Sequence, residues 1–290
     1  MPVFYLYRIK IERDPQRTIF DDQDASSSEL IRRVLEEKPS RETRRHQFWR
    51  IGNLTRVSER DLFFAFGRTS KSNVELFDEE SGNFVEQPQE QAPFTYVAID
   101  LENQICAIAH KSKVSPTIKS IASNLAKLLN LSSIAQEQNF SFSIPSINDP
   151  SEFITILHEA FSIKSFEMSF SLPNPFDVER QFHRPMEQLL EASHADQGKT
   201  RIEGASLDTD VVENLARSAA STGNDAKARV QPTQDAKTEL KRIGGNVISV
   251  ESDELATDDE KKTLFDRLRE AYQRVRGEGV RRIFHIRLCF

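Results

Sequence analysis

Short apolar runs of strand period, separated by turn signals, constrain this chain more than anything else in it. Val3–Ile11 (VFYLYRIKI) is rich in β-branched and aromatic residues and alternates toward its end, which predicts an opening strand. His46–Val57 and Asp61–Arg68 carry the same signature. Asn73–Phe77 and Asn83–Glu86 flank the turn signal Asp78-Glu79-Glu80-Ser81-Gly82. After the polar stretch EQPQEQAP, expected to be a loop, Phe94–Ile99 and Gln104–His110 flank Asp100-Leu101-Glu102-Asn103 as the arms of a hairpin would. Together these runs predict an antiparallel meander.

Helical period enters at defined points. Ser26–Ser28 and Glu29 can cap a helix that places Leu30, Ile31, Val34 and Leu35 on one face and ends at Pro39. Ser115-Pro116 opens a longer helix in which Val114, Ile118, Ile121, Leu125, Leu128 and Leu129 recur through Asn130. Phe140–Ile144 alternates as a half-buried strand, and Pro145–Pro150 reads as a domain boundary. Beyond it the spacing predicts a helix with Phe153, Ile154 and Leu157, a strand at Ile163–Leu172, a helix at Phe176–Leu190 and a strand at Lys199–Glu203. A helix then runs from Ser206 through Ala219 to a stop at Gly223. Strands follow at Ala226–Val230 and Asn246–Val250, with a helix at Leu264–Val275 and a closing strand at Arg281–Cys289. The polar stretch from Gly223 to Gly245 is expected to hold a mobile loop in its second part.

The expected architecture is α+β. An antiparallel meander sheet with helices would occupy an N-terminal domain, residues 1–145. A second, smaller α+β domain, residues 146–290, would carry a basic terminal helix and strand. No apolar run approaches the roughly 20 residues that span a bilayer, and the N-terminus lacks a basic segment followed by an apolar one, so a cytoplasmic location is expected. Cys106 and Cys289 lie in apolar strand-like runs, where a small buried hydrophobe is expected rather than a disulfide or catalytic thiol.

Charge is segregated along the chain. Formal charge is +3 over residues 1–60, −15 over 61–260 and +6 over 261–290, for −6 in total. An acidic protein with basic ends can offer a polyanion one favourable face while the remaining surface repels it. Three basic sets are candidates. Lys38–Arg50 holds Arg41, Arg44, Arg45 and Arg50 around Trp49, either a phosphate contact with a stacking aromatic or a basic loop with Trp49 in the core. In the last helix Arg267 and Arg274 lie on one flank of an apolar arc and Arg269 and Arg276 on the other, and Arg281, Arg282 and Arg287 extend the basic character. Lys227, Arg229, Lys237, Lys241 and Arg242 precede Gly244-Gly245. The DNA-binding set expected from these is Arg41, Arg44, Arg45, Arg50, Lys237, Lys241, Arg242, Arg267, Arg274, Arg281 and Arg282.

Catalytic signals are absent from the sequence. Gly244-Gly245-Asn246 lacks the Gly-Lys-Ser/Thr of a phosphate loop, and no zinc-ligand spacing or serine nucleophile elbow occurs. Thr257 and Glu260 form a capping box, which accounts for the acids around Asp258 without a metal. Asp225-Ala226-Lys227 and Asp235-Ala236-Lys237 have the acid-x-Lys spacing of some metal-dependent nucleases, without an obvious acidic partner. No catalytic residue, metal or cofactor is therefore expected.

The opening VFYLYRIK, the hairpin YVAIDLENQICAIAHKS leading into the helix at Pro116, and the later KARVQP strand resemble the layout of RexA-like phage-exclusion proteins, and more distantly that of KwaB-like anti-phage subunits. The likeness lies in the order of elements over most of the chain. It implies a cytosolic homodimer that binds DNA largely without sequence preference, works with a small membrane partner protein, and serves anti-phage defence or phage exclusion. Two other functions fit the same residues: a protein-interaction subunit whose basic end docks an acidic partner, and a metal-dependent nuclease.

Overall fold

The computed structural model describes residues 1–13, 26–43, 47–171, 193, 197–253 and 255–277. In chain order its strands and helices are β1 (Val3–Arg8), β2 (Lys10–Arg13), α1 (Ser27–Glu37), β3 (Ser40–Thr43), β4 (Gln47–Arg56), β5 (Asp61–Asp78), β6 (Asn83–Gln91), β7 (Phe94–Asp100), β8 (Ile105–Ala109), α2 (Ile118–Leu129), α3 (Ser133–Glu137), β9 (Phe140–Ser143), α4 (Ser151–Glu159), β10 (Ser162–Ser171), β11 (Gln197–Glu203), α5 (Thr209–Ser221), β12 (Ala226–Gln231), β13 (Glu239–Arg242), β14 (Ser249–Glu251) and α6 (Asp258–Arg276). The fold is α+β, and every sheet is antiparallel. The large sheet runs β14-β1-β8-β7-β5-β4-β3, with β6 paired only to the outer part of β5. A second sheet runs β11-β10-β12-β13, and β2 pairs with β9.

Helices cover both faces of the large sheet. Leu62, Phe64 and Phe66 of β5 join Tyr7, Ile99, Cys106 and Ile108 in a core closed by α1 and α2. Their neighbour Phe63 faces the other way, with Phe4, Leu6, Ala98 and Ala107, into a core closed by α6. Two-sided burial explains why these strands read as near-continuous apolar runs, each fully buried large side chain contributing about 1.5–3 kcal/mol. In the second sheet only one face is apolar: Ile163, Phe166, Met168, Ala226, Ala228 and Val230 pack under α4 and α5.

Local signals translate directly into elements. Ser26 caps α1 by accepting from the Glu29 amide, and Lys38 ends it in the left-handed region before Pro39. Thr257 and Glu260 make the expected capping box at α6. Cys106 is fully buried, and burial pushes its thiol pKa up.

Four features depart from the expectations. Asp61–Asp78 is one strand rather than two, because β5 exchanges β7 for β6 as its partner without breaking, and the polar stretch from Glu86 to Gln91 completes that ladder. The supposed loop before Gly245 contains β13, whose backbone bonds to β12 override a composition poor in strand formers. The α2 helix begins two residues later than Ser115-Pro116 suggested, capped by Thr117, and short α3 was not foreseen. Finally, β14 pairs with β1 and α6 packs on the large sheet, so the expected division at 145/146 does not follow the sheets. The predicted elements at Phe176–Leu190 and Arg281–Cys289 lie outside the described residues. Among the described residues no helix is long and apolar enough to cross a membrane.

Buried charge fixes α6 on the sheet. Arg269 of α6 donates through Nε to Asp100 Oδ2 at 2.8 Å and through Nη2 to Asp61 Oδ1, and both aspartates are buried. One turn on, the Tyr272 hydroxyl accepts from Arg8 Nη1 at 2.8 Å, and Arg8 also donates to the Asn103 carbonyl. Burial holds the Asp61 carboxyl above its usual range despite the Ser58 hydrogen bond and the Arg269 charge. The pair therefore gives little net stability yet is costly to break. Arg269→Ala is expected to lower unfolding free energy by about 3–5 kcal/mol near neutral pH. A raised carboxyl pKa favours the folded state below the unfolded value and loses that contribution as pH rises, so the deficit should shrink as pH falls from neutral into the ordinary carboxylate range. Urea unfolding at neutral pH and in that range measures it, and an equal deficit at both would contradict this account.

Candidate nucleic-acid interface

Alternation in the second sheet sends small and apolar side chains one way and cations the other. In β12, Ala226, Ala228 and Val230 lie under α5, so Lys227 and Arg229 stand on the opposite face. Phe166 and Met168 of β10 point inward, which puts Ser165, Glu167 and Ser169 outward. In β11, Ile202 joins the core and Arg201 is aligned with Glu167, so Lys199, Arg201 and Glu203 share the outward face. Arg242 of β13 is aligned with Lys227 and completes it.

Cross-strand register turns these positions into rows. One row reads Arg201, Glu167, Lys227, Arg242 across β11, β10, β12 and β13; the next reads Glu203, Ser165, Arg229, Leu240. Lys199 lies beside Ser169 in a third. Strands about 4.8 Å apart and rows about 7 Å apart give a platform roughly 14 Å on each side. It carries Lys199, Arg201, Lys227, Arg229 and Arg242 against Glu167 and Glu203. No described helix covers it, and Lys199, Arg201, Arg229 and Arg242 are exposed.

The electrostatic imbalance is visible at Glu167. Lys227 Nζ lies 2.8 Å from Glu167 Oε1, and that hydrogen bond, reinforced by the charges of Lys227, Lys199 and Arg201, holds the carboxyl below its usual range. Arg201 pairs with Glu203. Among the described residues Lys199, Arg229 and Arg242 have no carboxylate partner. Lys241 pairs with Glu239 at 2.7 Å at the sheet edge, and exposed Lys237 sits in the β12–β13 connection. The outward positions of the platform carry no aromatic ring, so it can hold phosphates but cannot stack bases.

The structure disperses the other expected residues. Arg41, on β3, donates to Asn124 Oδ1 of α2 at 3.1 Å. Arg50, on β4, is exposed, with its guanidinium over the Phe48 ring. Trp49, opposite Arg41 and next to Arg50, is buried and stacked on Phe66 at 4.9 Å, which decides the core reading for this residue. Arg267 donates to the Glu251 carbonyl of β14 at 3.3 Å and lies 3.5 Å from Asp253. Since β14 and β3 are opposite edges of the large sheet, six strand intervals apart, roughly 29 Å separates these strands, and Arg41 and Arg50 do not meet Arg267. Exposed Arg274 lines a cleft of about 450 Å³ with Arg217, Asp149 and Asn246. Arg44, Arg45, Arg281 and Arg282 lie outside the described residues. Of the expected set, only Lys237, Lys241 and Arg242 belong to or border the platform. Lys199 and Arg201 were missed, although the alternation of KTRIE placed both on one face.

Metal-ligating side chains converge elsewhere. His158 of α4 and Asp210 and Glu213 of α5 bring ligand atoms within 4.8 Å of one another. His158 Nε2 is 2.5 Å from Glu213 Oε2, and Arg217 Nε is 2.7 Å from Glu213 Oε1, so Glu213 is already engaged from both sides and its contact with His158 ties α4 to α5. Lys227 of the acid-x-Lys triplet engages Glu167 instead.

Because the Glu167 carboxyl is depressed by Lys227, their pairing is present above the ordinary carboxylate range and is lost as pH falls through the depressed value. Lys227→Met should raise the Glu167 titration midpoint toward that of a free glutamate, read by NMR of the side-chain carboxyl, and an unchanged midpoint would contradict this electrostatic reading. A search of curated proteins returned no match. The family model described as a domain of unknown function (DUF4747) matches residues 4–243, which takes in both sheets up to β13, and the chain belongs to that family.

Proposed function

We propose that this chain is a non-enzymatic, cytoplasmic DNA-binding protein that holds the phosphate backbone on the face of its second sheet that no described helix covers, largely without sequence preference. The observation that carries this reading is the register that gathers Lys199, Arg201, Lys227, Arg229 and Arg242 on one surface of a chain whose net charge is −6. Flexible cations pair with phosphate oxygens wherever the backbone runs, and without aromatic side chains on the platform the backbone charge is its main handle on DNA. A role in anti-phage defence is supported by the resemblance in element order to RexA-like proteins.

Fluorescence anisotropy with labelled duplex and single-stranded DNA across a salt series tests the proposal. Three to five neutralised phosphates should give log affinity against log salt a slope of about −2.7 to −4.5 on duplex. Arg229→Glu/Arg242→Glu should weaken binding at least tenfold with an unchanged thermal melt, whereas Arg41→Glu/Arg50→Glu should have little effect. No binding at low salt by folded protein would sink the proposal and turn the search to an acidic protein ligand for the same face.

A further inference from the structure

Beyond Thr69, the last residue of β5 paired with β4, β5 continues away from the large sheet with β6 as its only described strand partner, from Ser70 opposite Gln91 to Asp78 opposite Asn83. Nine paired residues make an arm of about 27 Å. Residues 70–91 hold Glu75, Asp78, Glu79, Glu80, Glu86 and Glu90 against Lys71. On one face Glu75 is directly opposite Glu86, and two residues toward the tip Phe77 is opposite Phe84, their rings in edge contact at 5.2 Å. Like charges in direct register cost stability unless a cation joins them. Phe84 is 83% exposed, Phe77 54% and Leu76 45%, a large apolar outlay for a polar ribbon.

The complementary surface is present in the same chain. On the basic platform Lys227 and Arg242 stand side by side, and one row away Arg229 stands beside Leu240, itself 47% exposed. In both surfaces the charged pair and the apolar-bearing pair are two residues apart along the strands, about 7 Å. Glu75 and Glu86 can therefore face Lys227 and Arg242 while the phenyl rings cover Leu240. The arm's aromatic tip is exposed in its own chain, so the platform it meets belongs to another copy. We propose that the acidic arm of one molecule docks on the basic sheet face of a second, and that reciprocal exchange of two arms closes a twofold dimer. The docking stands on charge and register alone. Its consequence, that the arm and DNA compete for one face, rests on the proposed function.

Sedimentation velocity without nucleic acid, at about 50 and 500 mM salt, reads the docking. Wild type should be dimeric at low salt and shift to monomer at high salt. Glu75→Lys/Glu86→Lys alone and Lys227→Glu/Arg242→Glu alone should each be monomeric, and combining all four substitutions in one chain should restore the dimer. These positions are exposed or half-exposed, and circular dichroism checks that each variant is folded. A monomeric wild type at low salt, a dimer that survives arm reversal, or a combined variant that stays monomeric overturns the proposal. Phe77→Ser/Phe84→Ser, which leaves charge unaltered, should loosen the dimer and tighten DNA binding at least threefold. A dimer without DNA affinity would sink the nucleic-acid reading alone, and DNA affinity in a strictly monomeric protein would sink the docking alone.

Discussion

Arg269 is the side chain through which the two sheets are held in one arrangement. It reaches from α6 to the buried carboxylates of Asp61 and Asp100, at the ends of β5 and β7 that lie farthest from the arm, and so sets where the helix lies on the large sheet. Arg8 and Tyr272 repeat the attachment one turn later. Next in line, α5 rests on α6: Ala220 shares its core, and Arg217 Nη1 donates to the Arg274 carbonyl at 3.4 Å. Gly277 belongs to this contact too, since a side chain there would meet Arg217 Cδ at 2.9 Å on a backbone with φ of +78°. Because α5 in turn closes the core of the second sheet, the position of the basic platform depends on two guanidinium groups in the other layer, Arg8 buried and Arg269 half-buried.

What was legible in the sequence was local. The caps at Ser26 and Thr257, the hairpin around Asp100 and the α2 stripe follow from residues within a few positions of each other, and each is where its pattern put it, within about two residues. Pairing across long separations was not legible. Nothing in VISV announces that β14 will join β1, 246 residues away at Val250 opposite Phe4, because strand propensity names no partner. The same gap explains the site. Lys199, Arg201, Lys227 and Arg242 are spread over more than forty positions, and only the register of four strands makes them neighbours.

Charge averaged over long segments concealed the same information. Residues 61–260 carry a formal −15, yet both the platform and the acidic arm lie inside that block. A strand separates its side chains by parity, so AKARVQ contributes small residues to a core and cations to a surface, and neither is diluted by the other. Trp49 illustrates the converse. Its basic neighbours left a stacking contact and a core position equally open, and the residue falls on the inward parity of β4 and packs against Phe66.

The unbroken course of β5 has a geometric consequence for chains of the same family. On the β5 side the arm continues the large sheet without a break, so its orientation follows the pleat of that sheet. Matched insertion of two residues in each strand of the arm lengthens it by about 7 Å and keeps the phenylalanine pair on its present side. Insertion of one in each turns that side over. Arm length in relatives that share this geometry should therefore change in even steps, and an odd step should be accompanied by exchange of character between the residues at neighbouring positions.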